Sequence, residues 1–234
     1  NHLYEVDGNL VNEGGQPTFV LETLTENKII RYTTDGTDPD MNAAIYEGPI
    51  PIDRTLTLKA AVFNSEKQLG NVFVRQINYH KAIGKNISID KESAPAYPGS
   101  GAQGLINGIN GSDIRYGDKE WLGYWGEDFE VVIDLGKVTP VSSVQTRFYE
   151  GKGQWIYLPA AVGFAGTQTA DAIPGSFTPM TFNPSTDNTH TAIADAPGEW
   201  RYLHLRVNNY GIIPAGKQGA GNKAWTFIDE IVVK

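Results

Sequence analysis

The plainest signal along this chain is a period of two. From Phe129 to Leu135 the apolar residues Phe129, Val131, Ile133 and Leu135 fall on one parity, while Glu130 and Asp134 fall on the other. That alternation predicts a strand with one face buried and one face wet. Gly136 is expected to end it, and VTPVSSVQTRFY to start another. The pattern recurs at Leu56 and Leu58, and at Val72, Val74 and Gln76 opposite Phe73, Arg75 and Ile77. It recurs again at Leu203, Leu205 and Val207 opposite Tyr202, His204 and Arg206. Few windows show the i, i+3, i+4, i+7 spacing of an amphipathic helix. Thr, Val, Ile and Tyr favour strands, and 26 Gly with 13 Pro supply turns. An all-β fold follows.

The predicted strands fall into two sets. TFVLETL (18–24), KIIRYTTDGTDPD, EGPIPI, TLTLKAAVF (55–63) and NVFVRQINY (71–79) make a small sandwich. EGPIPI carries a Pro at every second position, so it belongs at an edge. Residues 1–16 are polar and Gly-rich, an arm or a first edge strand. KAIGKN (81–86) reads as the boundary, giving domains 1–82 and 83–234. Beyond it a loop with one helical turn near Leu105 precedes the 129–135 strand. Then come VSSVQTRFY, LPAAVGFAG, FTPMTFN, HTAIA, EWRYLHLRVNN and AWTFIDEIVVK, which suit an eight-stranded jelly roll.

Composition narrows the chemistry. A net charge of −8 argues against nucleic acid, which needs a basic face, and against an anionic membrane surface. The absence of Cys excludes disulfides and thiolate sites. No apolar run is long enough to span a membrane. No leader-like segment follows Asn1, so the chain is expected to be a mature or excised piece. The four His are scattered without zinc spacing, and no nucleophile elbow or phosphate loop appears. No carboxylate pair is placed for glycosidic cleavage. The chain is therefore expected to be non-catalytic. DGTDPD invites calcium, but Tyr46 stands where the loop's bidentate Glu would be, so it reads as a turn.

Aromatic residues in Gly- and charge-rich loops carry the binding argument. A pyranose has an apolar C–H face and a rim of hydroxyls, so a site needs flat aromatics beside Arg, Asn or acids. One loop offers Arg115, Tyr116, Trp121, Tyr124 and Trp125, a second Glu150 and Trp155, and a third Asn208, Asn209, Tyr210 and Lys217. Trp121 reads as a packing anchor, and Trp200 and Trp225 as core. The expected carbohydrate contacts are Arg115, Tyr116, Trp125, Trp155, Asn208, Asn209 and Tyr210. Asp229 shares a parity with Trp225, Phe227, Ile231 and Val233. A carboxylate there needs a bulge, a basic partner or a metal.

Two resemblances add to this reading. IRYTTDGTDPD, IYEGPIPI and TLTLKAAVF resemble the fibronectin-III-like domain of the chitobiase and beta-hexosaminidase C-terminal type, over residues 17–80. AYPGSGAQGLINGINGS, WLGYWGEDFEVVIDLGK, QWIYLP and AWTFIDEIVV resemble the factor 5/8 type C (discoidin) superfamily, which includes the family-32 carbohydrate-binding modules, over residues 84–234. The implied fold is a fibronectin-III/immunoglobulin-like sandwich followed by a galactose-binding-domain-like jelly roll. The second resemblance implies a structural calcium held by Asn107, Ser112 and Glu230, with Asn107 where the family carries Asp. AGTQTADAIPG replaces the family's S-x-D-G hairpin. Together they imply an accessory region of a secreted or periplasmic bacterial glycoside hydrolase, binding galactose or N-acetylhexosamine-type glycan beside its parent catalytic domain. The alternative is a module that braces such a domain without binding sugar.

Overall fold

The computed structural model describes residues 2–234. The chain divides into two compact units. One runs to Tyr79 and takes in Asn107–Ile109; the other holds His80–Ile106 and Asn110–Lys234. Among the described residues no helix is long and apolar enough to cross a membrane.

The first unit contains β1 (Val6–Glu13), β2 (Gln16–Thr23), β3 (Ile29–Thr33), β4 (Ala44–Ile45), β5 (Ile50–Pro51), β6 (Leu56–Phe63) and β7 (Gln68–Ile77). They form two antiparallel sheets, β1-β2-β5 and β4-β3-β6-β7. The polar N-terminal stretch is an edge strand rather than an arm, because Gly14 (φ 59) and Gly15 (φ 87) make the two-residue turn a tight hairpin requires. β5, with its alternating prolines, lies at the sheet edge. Phe19, Ile52, Leu58 and Ile77 are fully buried between the sheets. DGTDPD is a turn. Asp35 accepts hydrogen bonds from Thr37 N–H (3.0 Å) and Oγ1 (2.6 Å), and Asp40 accepts from Asn42 N–H (2.8 Å).

The second unit contains β8 (Asn86–Ile89), β9 (Leu122–Trp125), β10 (Phe129–Tyr149), β11 (Ala161–Thr167), β12 (Thr178–Pro179), β13 (Thr181–Phe182), β14 (Thr189–Asn208) and β15 (Trp225–Val233). Gly136 does not end the strand that begins at Phe129. β10 continues to Tyr149 and pairs with β14 along most of its length. Register shifts between Asp134 and Thr139, across Gly136 (φ 84), and between Val141 and Ser143 interrupt the ladder and bend the strands. HTAIA and EWRYLHLRVNN are likewise one strand, β14. The bend lets β10 serve two layers. Its first half pairs with β8 and its second half with β15. Phe129, Val131, Ile133 and Leu135 meet Val144, Phe148, Ile228, Ile231 and Val233 in one core. The 81–86 segment is not an open linker. Ala82, Ile83 and Gly84 are buried, and Lys81 N–H bonds Val233 O at 3.0 Å.

One irregularity in β15 decides which residues face out. Against β10 its register shifts between Thr146 and Phe148, which places a bulge at Asp229-Glu230. Beyond the bulge Ile231 and Val233 point into the core; before it Ile228 does, while Phe227 and Trp225 turn to the opposite face. Asp229 is fully buried at the bulge and does not reach solvent. Arg147 grips it with Nε at 3.2 Å from both oxygens and Nη2 at 2.9 Å from Oδ2. Gly111 N–H donates to Asp229 Oδ2 at 2.7 Å, and the same Nη2 donates to Gly111 O at 3.1 Å. Burial pushes the carboxyl up to about 7, opposed by the guanidinium and the Gly111 N–H.

Removing one partner of a buried pair leaves the other uncompensated. Arg147→Met is expected to lower unfolding stability by about 3–5 kcal/mol, read by urea titration. Arg147→Met with Asp229→Leu should recover most of that loss. A single variant as stable as the parent would show that the pair does not hold this strand.

Candidate functional site

The outer face of β15, β9 and the second half of β10 carries an aromatic cluster separate from the main core. Trp121, Tyr149, Ile156 and Phe227 are buried in it, and Tyr97, Tyr116 and Trp225 are packed against them. The register puts Trp225 opposite Trp125 and Phe227 opposite Gly123. A Cβ at Gly123 would come within 2.8 Å of Tyr97 Cβ and 2.9 Å of the Phe227 ring, so glycine there makes room for Tyr97. Tyr97 then lies edge-on to Phe227 (4.9 Å between centroids) and to Trp225 (5.3 Å). Tyr116 extends the cluster, 5.9 Å from Tyr97 and 5.4 Å from Phe227. Burial and the neighbouring Tyr116 raise the Tyr97 phenol above its usual range.

Two indoles stand at the wet edge of this cluster. Trp125 is 47% exposed and stacks on Trp225 at 6.1 Å and 26°. Its Nε1–H donates to Lys223 O at 3.1 Å, and Lys223 Nζ sits 5.4 Å from its ring. Trp155 is 37% exposed and adopts φ 64, a left-handed conformation rare for a bulky residue. Its carbonyl accepts Trp225 N–H at 2.8 Å, and its indole lies over Gly219, where a Cβ would clash. Trp125 and Trp225 stack as cross-strand partners, and Trp155 follows on the neighbouring backbone segment with its ring over Gly219. The three make a tryptophan row along adjacent segments, not a continuous stack. Next to it Tyr210 stacks on Tyr157 at 4.6 Å, and its hydroxyl accepts Lys217 Nζ at 2.7 Å, which raises the ammonium's pKa. Such a face offers flat apolar rings framed by hydroxyl and ammonium donors.

The other expected contacts are placed differently. Asn209 is buried, which corrects the expectation that it meets hydroxyls. Its Oδ1 accepts Gly211 N–H (2.8 Å) and its Nδ2 donates to Ala224 O (3.0 Å) and Thr226 Oγ1 (2.9 Å). The turn at Tyr210-Gly211 needs that side chain as its clamp. Asn208 donates to Asp128 at 3.2 Å. Arg115 is exposed in the loop that ends at Tyr116, and Tyr116 is half-buried rather than open. Trp121 is the packing anchor expected, its Nε1–H on Ser112 O at 3.0 Å. Trp225, read as core, belongs to the row. Tyr97 was missed, although an aromatic beside Pro98-Gly99 satisfies the same loop criterion that selected Trp125.

The residues expected to hold calcium each make other contacts in the structure. Ser112 Oγ already accepts Ile114 N–H (3.3 Å) and Arg115 N–H (3.1 Å). Asn107 Oδ1 accepts Ile109 N–H at 2.9 Å. Glu230 is buried and bonded to His80 Nε2 at 2.7 Å. Among the described residues no group of three His, Asp or Glu could hold a metal. The cation that ties Gly111 to the last strand is the Arg147 guanidinium.

His80 is neutral in this arrangement. Its Nδ1 accepts Ala82 N–H at 3.2 Å, so a proton there would set two N–H groups against each other. Burial lowers its pKa to about 4.

Comparison with known proteins adds the following. Residues 19–77 match the family model Fn3 associated. No curated protein matches the chain. Solved structures similar to it include chitosan-binding module 1 of a chitosanase/glucanase from Paenibacillus sp. IK-5, at 11% identity and TM-score 0.41 over 67% of this chain and 99% of that one. Module 2 of that enzyme, in complex with chitotriose, is similar at 13% identity and TM-score 0.39, over 65% and 98%. The lectin domain of lectinolysin, complexed with Lewis B antigen, is similar at 16% identity and TM-score 0.42, over 68% and 97%.

The His80 geometry makes a pH prediction. The unfolded imidazole protonates near 6.5 and the folded one near 4, so the unfolded chain binds the extra proton between these values. His80 therefore disfavours folding as pH falls from 6.5 toward 4, by up to roughly 3 kcal/mol. Asp229, raised, acts in the opposite sense as pH rises toward 7. The comparison must be with His80→Gln, which keeps a donor for Glu230 but does not titrate. The stability difference between parent and variant should shrink steadily on acidification. A difference independent of pH would contradict a neutral buried His80.

Proposed function

We propose that the chain is a non-catalytic carbohydrate-binding accessory region of a secreted or periplasmic glycoside hydrolase, of hexosaminidase type, and that the aromatic row holds glycan. The observation that carries this reading is the Trp125–Trp225 pair. A half-exposed indole is held flat by ring stacking below and by its Nε1–H on Lys223 O at the side. Its position costs little further ordering when a pyranose lays its C–H face on it. Tyr97, Tyr116 and Lys223 supply donors for the hydroxyl rim. The match of residues 19–77 to Fn3 associated suits a supporting unit beside a catalytic domain, as the resemblance of residues 17–80 implies.

One stacking face and a few hydrogen bonds give an affinity near millimolar, about −4 kcal/mol. Galactose, N-acetylgalactosamine and N-acetylglucosamine should each be titrated and followed by tryptophan fluorescence and NMR. At least one is expected to shift Trp125, and Trp125→Ala should abolish binding with only a small change in melting temperature. Trp225→Ala should cost both, since that ring also packs on Phe227. If no sugar shifts any ring of the row at tens of millimolar, the bracing role replaces this one.

A further inference from the structure

The chain carries a net charge of −8, yet the groups framing the tryptophan row are mainly cationic. Lys223 Nζ lies beside the Trp125 ring. Lys217 Nζ is fixed on the Tyr210 hydroxyl, next to the loop that seats Trp155 on Gly219. Lys152 opens the short turn whose carbonyl receives Trp155 N–H at 3.1 Å. Each nearby carboxylate has a place. Glu150 stands 3.8 Å from both Lys152 Nζ and His190 Nε2, and it also acts on Lys217. Asp128 accepts from Asn208 and from Asn209 N–H. Asp113 lies 3.3 Å from Arg147 Nη2. Glu127 and Asp90 act on the Tyr124 hydroxyl, and Tyr124 points into the core, on the face of β9 opposite to Trp125. The row is thus flanked by three ammonium groups and by the carboxylates of Glu150 and Asp128.

We propose that the tryptophan row selects glycan carrying a negative charge, a carboxylate or a sulfate ester, with Lys152, Lys217 and Lys223 as its cationic rim. This rests on the carbohydrate reading above and names the class of sugar. A neutral sugar gains little from fixed ammonium groups, whereas an anion gains from each of them and is drawn to a patch set in an otherwise acidic surface. Lys217 is held in place by Tyr210, so an anion meeting it forfeits less side-chain freedom than at a loose lysine. A polyamine sugar such as chitosan meets the wrong sign.

The experiment compares trigalacturonic acid, its methyl ester, a sulfated chondroitin disaccharide and a chitosan trimer, by calorimetry on the whole chain. At about 0.02 M salt the acid or the sulfated sugar should bind about tenfold tighter than the ester, and at about 0.5 M salt that advantage should shrink to about twofold. Lys152→Met and Lys217→Met should each weaken the charged sugar about two- to fivefold and leave the ester unchanged, whereas Lys223→Met should weaken both. Whichever anion binds names its source, uronate or sulfate. Equal binding of acid and ester, or tighter binding of the chitosan trimer, overturns the charge selection while leaving sugar binding standing. If nothing binds, neutral sugars included, the carbohydrate reading falls and this one with it.

Discussion

The fork between Arg147 and Asp229 is the interaction on which the rest of the second unit depends. A strand of uniform parity from Trp225 to Val233 would send Trp225, Phe227, Asp229, Ile231 and Val233 to one face. The bulge at Asp229-Glu230 breaks that parity, so Ile231 and Val233 stay inside while Phe227 and Trp225 face outward. A bulge leaves backbone and side chain to be satisfied off the ladder. Here the carboxylate takes both the guanidinium and Gly111 N–H, and the guanidinium takes Gly111 O. The loop carrying Ser112 to Tyr116 is thereby fastened to the last strand. Arg147 also lies 5.6 Å from the Trp121 ring, so it joins the charge network to the aromatic cluster.

That fastening explains why an outward aromatic face can persist. Exposed rings are ordinarily drawn into a core, and Trp125 and Trp155 are kept out by geometry rather than by polarity. Trp125 is constrained by its antiparallel partner and by a hydrogen bond to a main-chain oxygen. Trp155 is constrained by a left-handed backbone and by the hydrogen bond from Trp225 N–H. A positive φ at a bulky residue costs of order 1–3 kcal/mol, so the surrounding contacts must over-determine it. The loops over Gly123 and Gly219 do so by letting rings approach where any side chain would intrude.

Much of the fold was legible because its signals are local. Alternation at Phe129–Leu135 and at Leu203–Val207 gave strands that face one core. What escaped were events that alternation does not encode. Gly136 reads as a stop, yet it lies inside β10, since the ladder to β14 resumes at Thr139 beyond the register shift. Gly14-Gly15 reads as looseness, yet two positive φ values make it a hairpin. The site was half legible. Trp125 and Trp155 are partly exposed rings in segments of the kind the sequence picks out, while Tyr210 is half-buried on Tyr157. Asn209 departs from that reading, because a polar residue beside Tyr-Gly is as well suited to clamp a turn as to meet a ligand, and the Gly211 N–H is nearer. Trp225 was assigned to the core because the parity break at Asp229-Glu230 has no sequence marker apart from the acids themselves.

Those two acids also show how one strand handles buried charge in two ways. Asp229 is answered by a guanidinium, which stays protonated at any pH the protein meets. Its neighbour Glu230 is answered by an imidazole held neutral by Ala82 N–H. The first arrangement is an ion pair and the second a hydrogen bond to a neutral ring, so acid affects them differently. Burial holds the Asp229 carboxyl up near 7, so protonating it relieves a buried charge while giving up its charge on Arg147. Protonating His80 instead forces a charge into a buried pocket beside the core. The first effect acts at the fork that fastens the 111–116 loop to β15, whereas the second acts at the buried imidazole beside Glu230. The two carboxylates therefore respond to acid differently, according to which basic residue faces each.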